Sequence, residues 1–521
     1  MKLMKTTIGI IIVTLISIFL GFARESIVVY KLGAGWQADS FIFSIMFPGL
    51  IFSSIGGVIS TVFVPLYTDL RINESLEEAN DFANNLINII IIITLILVFI
   101  GEIYTPEIIK ILAPGFKGET YEMTVKLVRM ILPSMFFMGL MYCFVGILTS
   151  FKELIITAAI SIPLHLSIIL GLILIYPRLG LQWTIIAVIL GSILQVIIFI
   201  PKLVQKKYKY KVKFNLKKAY IMQALNMIGP MSIGIMAQQI NTLIDRALAS
   251  TLDAGSITAI NLASKVNLAS YNSLVFIVSM LVFPMLAECS AQKDSEKFEE
   301  ILRLGINIVI GLMLPITLIT ICFRQEIISV LFGYGKFSQK NIIDTSEILL
   351  FYSIGTCFLG LRDILNRAFY ALQDTKVPMK NGIIAIIINV ITSLLLIKIL
   401  KARGLALGTS ISMVVVSLML LRNIKIKFKY MNFKNIYTNI FKISISGFIM
   451  YMFMLLIKNI YNLIKISMFT KIEMILLMGI ISLVSIVIYI SSLFILKVDG
   501  IEFIIKKLKN HNFLKKERIR N

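Results

Sequence analysis

Apolar residues run along this chain in long blocks, broken at short intervals by clusters of Lys, Asp, Asn, Gly and Pro. Windows of roughly 20 apolar residues, the length that crosses about 30 Å of hydrocarbon, recur about 14 times. They fall near 6–23, 38–66, 86–104, 127–150, 154–176, 181–203, 220–250, 257–286, 302–323, 346–373, 380–400, 404–422, 440–461 and 472–496. Each predicts a helix, because a segment in lipid must satisfy its backbone groups within itself. The windows 38–66 and 257–286 are long, the first containing Gly and Pro and the second Pro284, which predicts tilt, kinks or partial exposure to water. The chain is 58% hydrophobic, with a mean hydropathy of +0.90, which excludes a soluble globular protein. The fold class expected is all-α: a polytopic membrane protein.

Charge orients this array. The net charge is +23, and much of it is concentrated in three runs. Lys202 to Lys218 holds eight lysines in seventeen residues, a second run begins at Arg422, and the chain ends KKLKNHNFLKKERIRN. All three follow an even-numbered span, whereas the loop STLDAGS between spans 7 and 8 has no Lys or Arg. The positive-inside rule then places both termini in the cytoplasm. No folded soluble domain presents these runs as an aromatic-interleaved surface, so anionic membrane lipid is the expected partner and nucleic acid is not. The start, MKLMKTTIGIIIVTLISIFLGFA, has the charged and apolar regions of a signal peptide, but Arg24 and Glu25 follow in place of a small-residue cleavage site. It is expected to remain as span 1. Four scattered cysteines without a CxxC support neither a disulfide framework nor a zinc site.

An internal repeat organises the spans. TPEIIKILAPGF from Thr105 parallels RQEIISVLFGYGKF from Arg324, with Glu107 and Glu326 offset by 219 residues. LTSFK at Leu148 and LGL at Leu179 match LQDTK at Leu372 and RGL at Arg403 with an offset of 224. Six spans, an even number, separate the copies, so the halves are expected to be parallel repeats. This predicts an N-terminal six-helix lobe (1–203), a basic cytoplasmic connector (204–218) and a second six-helix lobe (219–423). Two additional helices (424–496) and a basic tail (497–521) follow. In repeat transporters the substrate lies between the halves near the midplane, and rocking of the lobes gives alternating access.

Ions inside apolar spans are the candidate chemistry. A charge at bilayer depth costs at least a few kcal/mol and defaults to a functional hypothesis. Arg24 and Glu25 end span 1, and Asp39 opens span 2; snorkelling at the interface and a functional role fit them equally. In span 7, Gln238, Asn241 and Asp245 share one helix face, either lining an interior or forming a helix–helix seam. Lys265 is a single cation deep in span 8 and the best candidate for an anionic substrate. Asp363 and Arg367 in span 10 are spaced to pair with each other, while Arg362 points from a different face.

Catalytic signatures are missing from the sequence: there is no G-x-S-x-G, Walker A loop or HExxH, and only two histidines. A transporter without cofactor is expected, not an enzyme. Uphill work would have to come from an ion gradient, the membrane potential or a substrate gradient.

Several stretches resemble the MurJ (MviN) family of lipid II flippases, within the superfamily of multidrug and oligosaccharidyl-lipid exporters. GFARESIVVYKLGAGWQADSF is similar to the family's span 1–2 signature, and INTLIDRALASTLDAGSITAINLASKV to the start of its second lobe. FPGLIFSSIGGVISTVFVPLY and RAFYALQDTKVPMK add weaker matches in the same order. The resemblance implies 14 spans, a cationic cavity and outward movement of an undecaprenyl-pyrophosphate-linked precursor for peptidoglycan synthesis. It also implies that the last two helices form a groove for the lipid tail, and that the chain sits in the bacterial plasma membrane, with cell-wall synthesis proteins as neighbours. By matching position, Arg24 would bind pyrophosphate, Glu25 would tune it, and Asp39 would be an acidic residue near the outer gate. Lys265 stands where the family usually has arginine, and PGLIFSS from Pro48 carries no cation where many members have two arginines. Asp245, Arg246, Arg362 and Arg367 are candidates to restore charge, and Asn241 of the span 7 stripe is a further candidate substrate contact. A flippase for polysaccharide repeat units shares the pyrophosphate and is the main alternative. A membrane glycosyltransferase and a passive scaffold are the others.

Overall fold

The computed structural model describes residues 2–215, 219–428, 433–463 and 471–499, with the side chains of some residues in the first, second, twelfth, thirteenth and nineteenth helices and in the π-helical turn after α2 not described. Helices, with short irregularities, cover every predicted window. In chain order they are α1 (Lys2–Leu32), α2 (Trp36–Val58), α3 (Val64–Asp69), α4 (Leu76–Leu112), α5 (Gly118–Ile131), α6 (Ser134–Ser150), α7 (Leu154–Ala158), α8 (Ser161–Leu170), α9 (Tyr176–Leu179) and α10 (Leu181–Ile197). There follow α11 (Ile200–Gln205), α12 (Ala219–Ser250), α13 (Ser256–Ala291), α14 (Ser295–Cys322), α15 (Arg324–Phe332), α16 (Gln339–Ala371), α17 (Lys376–Leu400), α18 (Ala402–Lys427), α19 (Phe433–Leu463) and α20 (Lys471–Ile495). Among the described residues, ten helical segments are long and apolar enough to cross a membrane, or eleven if α5 and α6, bent by 46°, count as one. The fold is therefore all-α and polytopic.

Local sequence explains the irregularities. Pro48 and Pro284 lie inside continuous helices, whereas Pro65 opens α3 after a π-helical turn at Ile59–Phe63. Further π-helical turns occupy Gly171–Ile175, within a continuing run of helix, and Leu70–Glu74, which closes its helix before the extended Ser75. α4 begins on Ser75, whose hydroxyl accepts from the Glu78 N–H at 3.1 Å, with Glu77 and Glu78 complementing the helix dipole. Outward faces are greasy: Phe19 of α1 is 72% exposed and Phe99 of α4 68%, as expected where acyl chains are the solvent.

Packing divides the chain into two compact units, Met1–Thr258 with Leu331–Asn341, and Ala259–Val330 with Ile342–Asn521. In the first, a core of Val62, Phe63, Tyr67, Phe82, Ile147 and Phe199 joins the α3–α4 region to α6 and α10–α11. Ser17 and Ser161 share a hydrogen bond of 2.6 Å that ties α1 to α8. In the second, α14 packs on α19 and α20 around Met313, Ile443, Met450 and Tyr489, and the Tyr489 hydroxyl donates to the Gly311 carbonyl at 2.9 Å. Gly404 and Gly408 let α18 lie against α17, since a Cβ on either would meet Leu396 or Ser393 at 2.7 and 2.6 Å.

Some local features recur at offsets close to those of the repeated strings. Ser75 and Asp294, 219 residues apart, each cap the helix that follows, Asp294 accepting from the Lys297 N–H at 3.0 Å. Further on, Lys152 and Gln373 both adopt left-handed backbone, φ 60° and 57°. The next residues, Glu153 and Asp374, bind Lys206 (2.6 Å) and Lys427 (2.8 Å), and each lysine also lies over a phenylalanine ring, Phe151 or Phe369. Both pairs are 221 residues apart, so the LTSFK and LQDTK segments correspond three residues away from the register their letters suggest.

Candidate functional site

Arg24 lies about two turns before the end of α1 and is only 14% exposed in its side chain. Its guanidinium donates to the Glu25 carboxylate, itself 3% exposed, in a very short contact. An adjacent carboxylate holds the cation in place and leaves the other N–H groups of the fork available. The two predicted residues are therefore brought together, and Ser26 anchors the same turn by donating to the Leu331 carbonyl at 2.6 Å.

Asp39 is 3% exposed and occupied on both oxygens. Oδ1 accepts from the Thr258 N–H (2.8 Å) and the Thr258 hydroxyl (2.6 Å), and Oδ2 from the Gly255 N–H (2.6 Å). The cause is legible at the start of α13. Gly255 precedes Ser256 at the N-cap position and has no side-chain oxygen to offer. Asp39 supplies it from another helix. Gly255 is required there twice over, with φ at +94° and a would-be Cβ 2.5 Å from the Ala34 carbonyl. Asp39 was expected among the substrate contacts; its carboxylate here is committed to backbone. Sequence reasoning missed Thr258 and Gly255, although a glycine in front of S-I-T marks a helix start lacking its own cap.

α12 carries Asn241 and Asp245, both half-buried, and the Asn241 side-chain oxygen is buried with no hydrogen-bond partner among the described residues. Gln238, third in that stripe, has a side chain outside the described residues. Arg246, one position on, is buried and donates to the Ile257 carbonyl at 3.4 Å.

The remaining candidates belong to the second unit. Lys265 on α13 is half-buried, one turn from the buried Asn261. On α16, Arg367 donates to Asp363 at 3.0 Å, the i, i+4 pair that the spacing predicted. Arg362 is half-buried on a different face, and its Nε is buried without a hydrogen-bond partner. Tyr271 of α13 lies within electrostatic reach of Arg362, Asp363 and Arg367. Deeper in the same pair of helices, the Thr356 hydroxyl donates to Asn267 at 2.5 Å. Among the described residues no group of His, Cys, Asp and Glu is placed to hold a metal ion.

With this geometry in view, the comparisons with known proteins are specific. The sequence profile of the family described as "Lipid II flippase MurJ" matches residues 28–493. A "Probable lipid II flippase MurJ" from Buchnera aphidicola subsp. Baizongia pistaciae is 27% identical over 424 residues, 79% of this chain and 81% of that protein. The solved structure of a lipid II flippase MurJ in an inward closed conformation superposes with a TM-score of 0.79 at 26% identity, covering 94% of this chain and 98% of that one. An inward-facing MATE family multidrug resistance transporter of the MOP superfamily shares the fold, with a TM-score of 0.67 at 16% identity over 81% of this chain and 98% of the other.

Proposed function

We propose a mechanism for a chain that belongs to the MurJ family of lipid II flippases, as the match over residues 28–493 shows. The protein is a multi-pass transporter of the bacterial inner membrane, and lipid II is its substrate. The physical problem is the head group. A pyrophosphate bearing a sugar-peptide cannot enter hydrocarbon without losing hydration worth many kcal/mol, whereas the polyprenyl tail can stay in lipid throughout.

Arg24 is the residue we assign to the pyrophosphate. Its pairing with Glu25 supports this assignment: the carboxylate keeps the guanidinium aimed while no phosphate is present. Arrival of a doubly anionic group offers Arg24 a stronger partner, and Glu25 then turns from clamp to competitor, which favours release later in the cycle. Lys265 and Arg362 supply further positive charge, and Asn241 an amide whose oxygen lacks a partner and can accept from the sugar or peptide. Asp245 lies one turn from Asn241 on α12, and Arg367 pairs with Asp363 on α16. Asp39 holds the start of α13, so we assign it to conformational control instead of direct contact.

The rest of the cycle follows as part of the same proposal. The two six-helix repeats, 1–203 and 219–423, alternate access to the two leaflets, with both termini and the 204–218 connector cytoplasmic. The helices within 424–496 guide the tail. Energy comes from an ion gradient, the membrane potential or removal of the head group outside; one charge moved is worth about 2.3 kcal/mol per 100 mV.

A vesicle assay with labelled lipid II tests the assignment. Wild type should expose the label to an external reagent, Arg24→Ala and Lys265→Ala should each slow exposure ten-fold or more by a loss of about 1.5–3 kcal/mol per charged hydrogen bond, and Arg24→Lys should recover part of the rate. Normal rates in both alanine variants would remove Arg24 and Lys265 from the site.

A further inference from the structure

We propose that the connector after α11 is a built binding strap for anionic phospholipid, separate from the lipid II site. Residues 207–215 run along the first turns of α4 and are fastened there by a ladder of asparagines. Asn80, Asn84 and Asn88, spaced four apart on one helix face, donate to the carbonyls of Lys207 (3.4 Å), Lys209 (3.0 Å) and Lys213 (2.9 Å). The Tyr208 and Tyr210 hydroxyls donate back to Asn84 and Asn88 at 2.6 Å each, and the Asn215 N–H donates to Asn85 at 2.6 Å. Side-chain amides thus stand in for a neighbouring strand, so a segment without secondary structure of its own has a fixed course.

That course leads toward hydrocarbon. The strap starts at Asn80 and reaches Asn88 at Lys213, an advance of about 12 Å along α4, before turning back to Asn85 at Asn215. Asn88 is followed at once by the run Ile89–Ile93, whose outer members Ile92 and Ile93 are 42% and 46% exposed. The lysines confirm the direction. Lys211 pairs with Glu77 at 3.4 Å, and the Lys213 ammonium pairs with Asp81, although its carbonyl sits beside Asn88. A lysine whose head turns back about two helical turns toward the polar end is snorkelling. At the deep end, Val212 and Phe214 are 76% and 54% exposed, and nothing described covers them.

One occupant suits both halves of this surface. Val212 and Phe214 enter the boundary between acyl chain and glycerol, and the exposed Lys207 and Lys209 at the shallow end meet the headgroup phosphate. An acidic protein partner would use the lysines but would leave the two apolar side chains at membrane depth. The inference rests on α4 spanning the bilayer with this end at its surface, and not on the assignment of the lipid II site.

The test uses the full chain in vesicles of phosphatidylcholine with and without phosphatidylglycerol. Val212→Cys and Phe214→Cys carry an environment-sensitive dye, with Gln292→Cys as the water-exposed reference and Ile96→Cys as the lipid-exposed one. Dye at 212 and 214 should emit to the blue of the Gln292 site and be quenched by a nitroxide placed high on the acyl chain. Emission matching Gln292 would overturn the proposal. In parallel, phosphatidylglycerol retained by purified protein is counted by mass spectrometry. Lys207→Gln and Lys209→Gln should each weaken retention roughly five-fold, the effect of one lysine near an anionic surface, while elution and helix content stay unchanged. Unchanged retention in the double variant, or displacement of the lipid by inorganic phosphate, would also overturn it. Neither readout involves lipid II, so failure here leaves the flipping assay to stand or fall by itself.

Discussion

Asp39 shows how a single carboxylate can look like a ligand and act as a cap. An acid opening a membrane helix suggests substrate chemistry, yet three donors from Gly255 and Thr258 consume both of its oxygens. Asp39→Ala should leave two buried N–H groups without partners, at about 1–3 kcal/mol each. Thermal unfolding in detergent should record a marked loss for Asp39→Ala and a smaller one for Thr258→Val, which removes only the hydroxyl bond. Equal stability of all three proteins would mean that water replaces the carboxylate. Arg24 is the opposite case: its neighbour Glu25 satisfies it without using up its fork, which is why it remains the better candidate for phosphate.

At the scale of elements, the junctions after α6 and after α16 carry matched fasteners. Glu153 takes Lys206, and Asp374 takes Lys427. The hydrogen bond from lysine comes first among the causes that hold each carboxyl below its ordinary value, 4.5 for Glu153 and 3.8 for Asp374. A depressed carboxylate stabilises the fold above its unfolded pKa and loses that contribution as pH falls through its folded value. The fasteners should therefore be fully present at neutral pH and fail only in acid, as pH falls below those ordinary values. Both pairs are partly exposed, so the effect is local and screened by salt. Amide exchange at residues 151–153 and 372–375, corrected for intrinsic rates, should accelerate in acid. Lys206→Gln and Lys427→Gln should show that faster exchange already at pH 7. Protection independent of both pH and lysine would contradict this role. These pairs were not legible from letters alone, because the aligned strings LTSFK and LQDTK suggest one register and the left-handed residues Lys152 and Gln373 impose another.

For the whole molecule, the last two helices are structural as well as additional. Ile443, Met450 and Met454 of α19 and Tyr489 of α20 lie in the core of the second unit against α14, where Gly447 faces Leu314. Truncation after residue 428 would uncover that face, and burying a large apolar side chain is worth about 1.5–3 kcal/mol. The shortened chain should aggregate or fail to accumulate in the membrane, seen as loss of a monodisperse peak on gel filtration. A stable, monodisperse truncation that had lost only flipping would confine α19 and α20 to a role in handling the lipid tail.

Sequence alone determined the class of molecule and the positions of the helices, because hydrophobic length and four-residue spacing are properties of neighbouring positions. The Asp363–Arg367 pair was legible for the same reason. Tertiary structure decided which polar groups are already spoken for. Asp39 finds Thr258 at a separation of 219 residues, and Asn84 finds Tyr208 at 124. No local pattern encodes such partners, since a buried donor or acceptor is indifferent to sequence distance and answers only to what packing brings within about 3 Å.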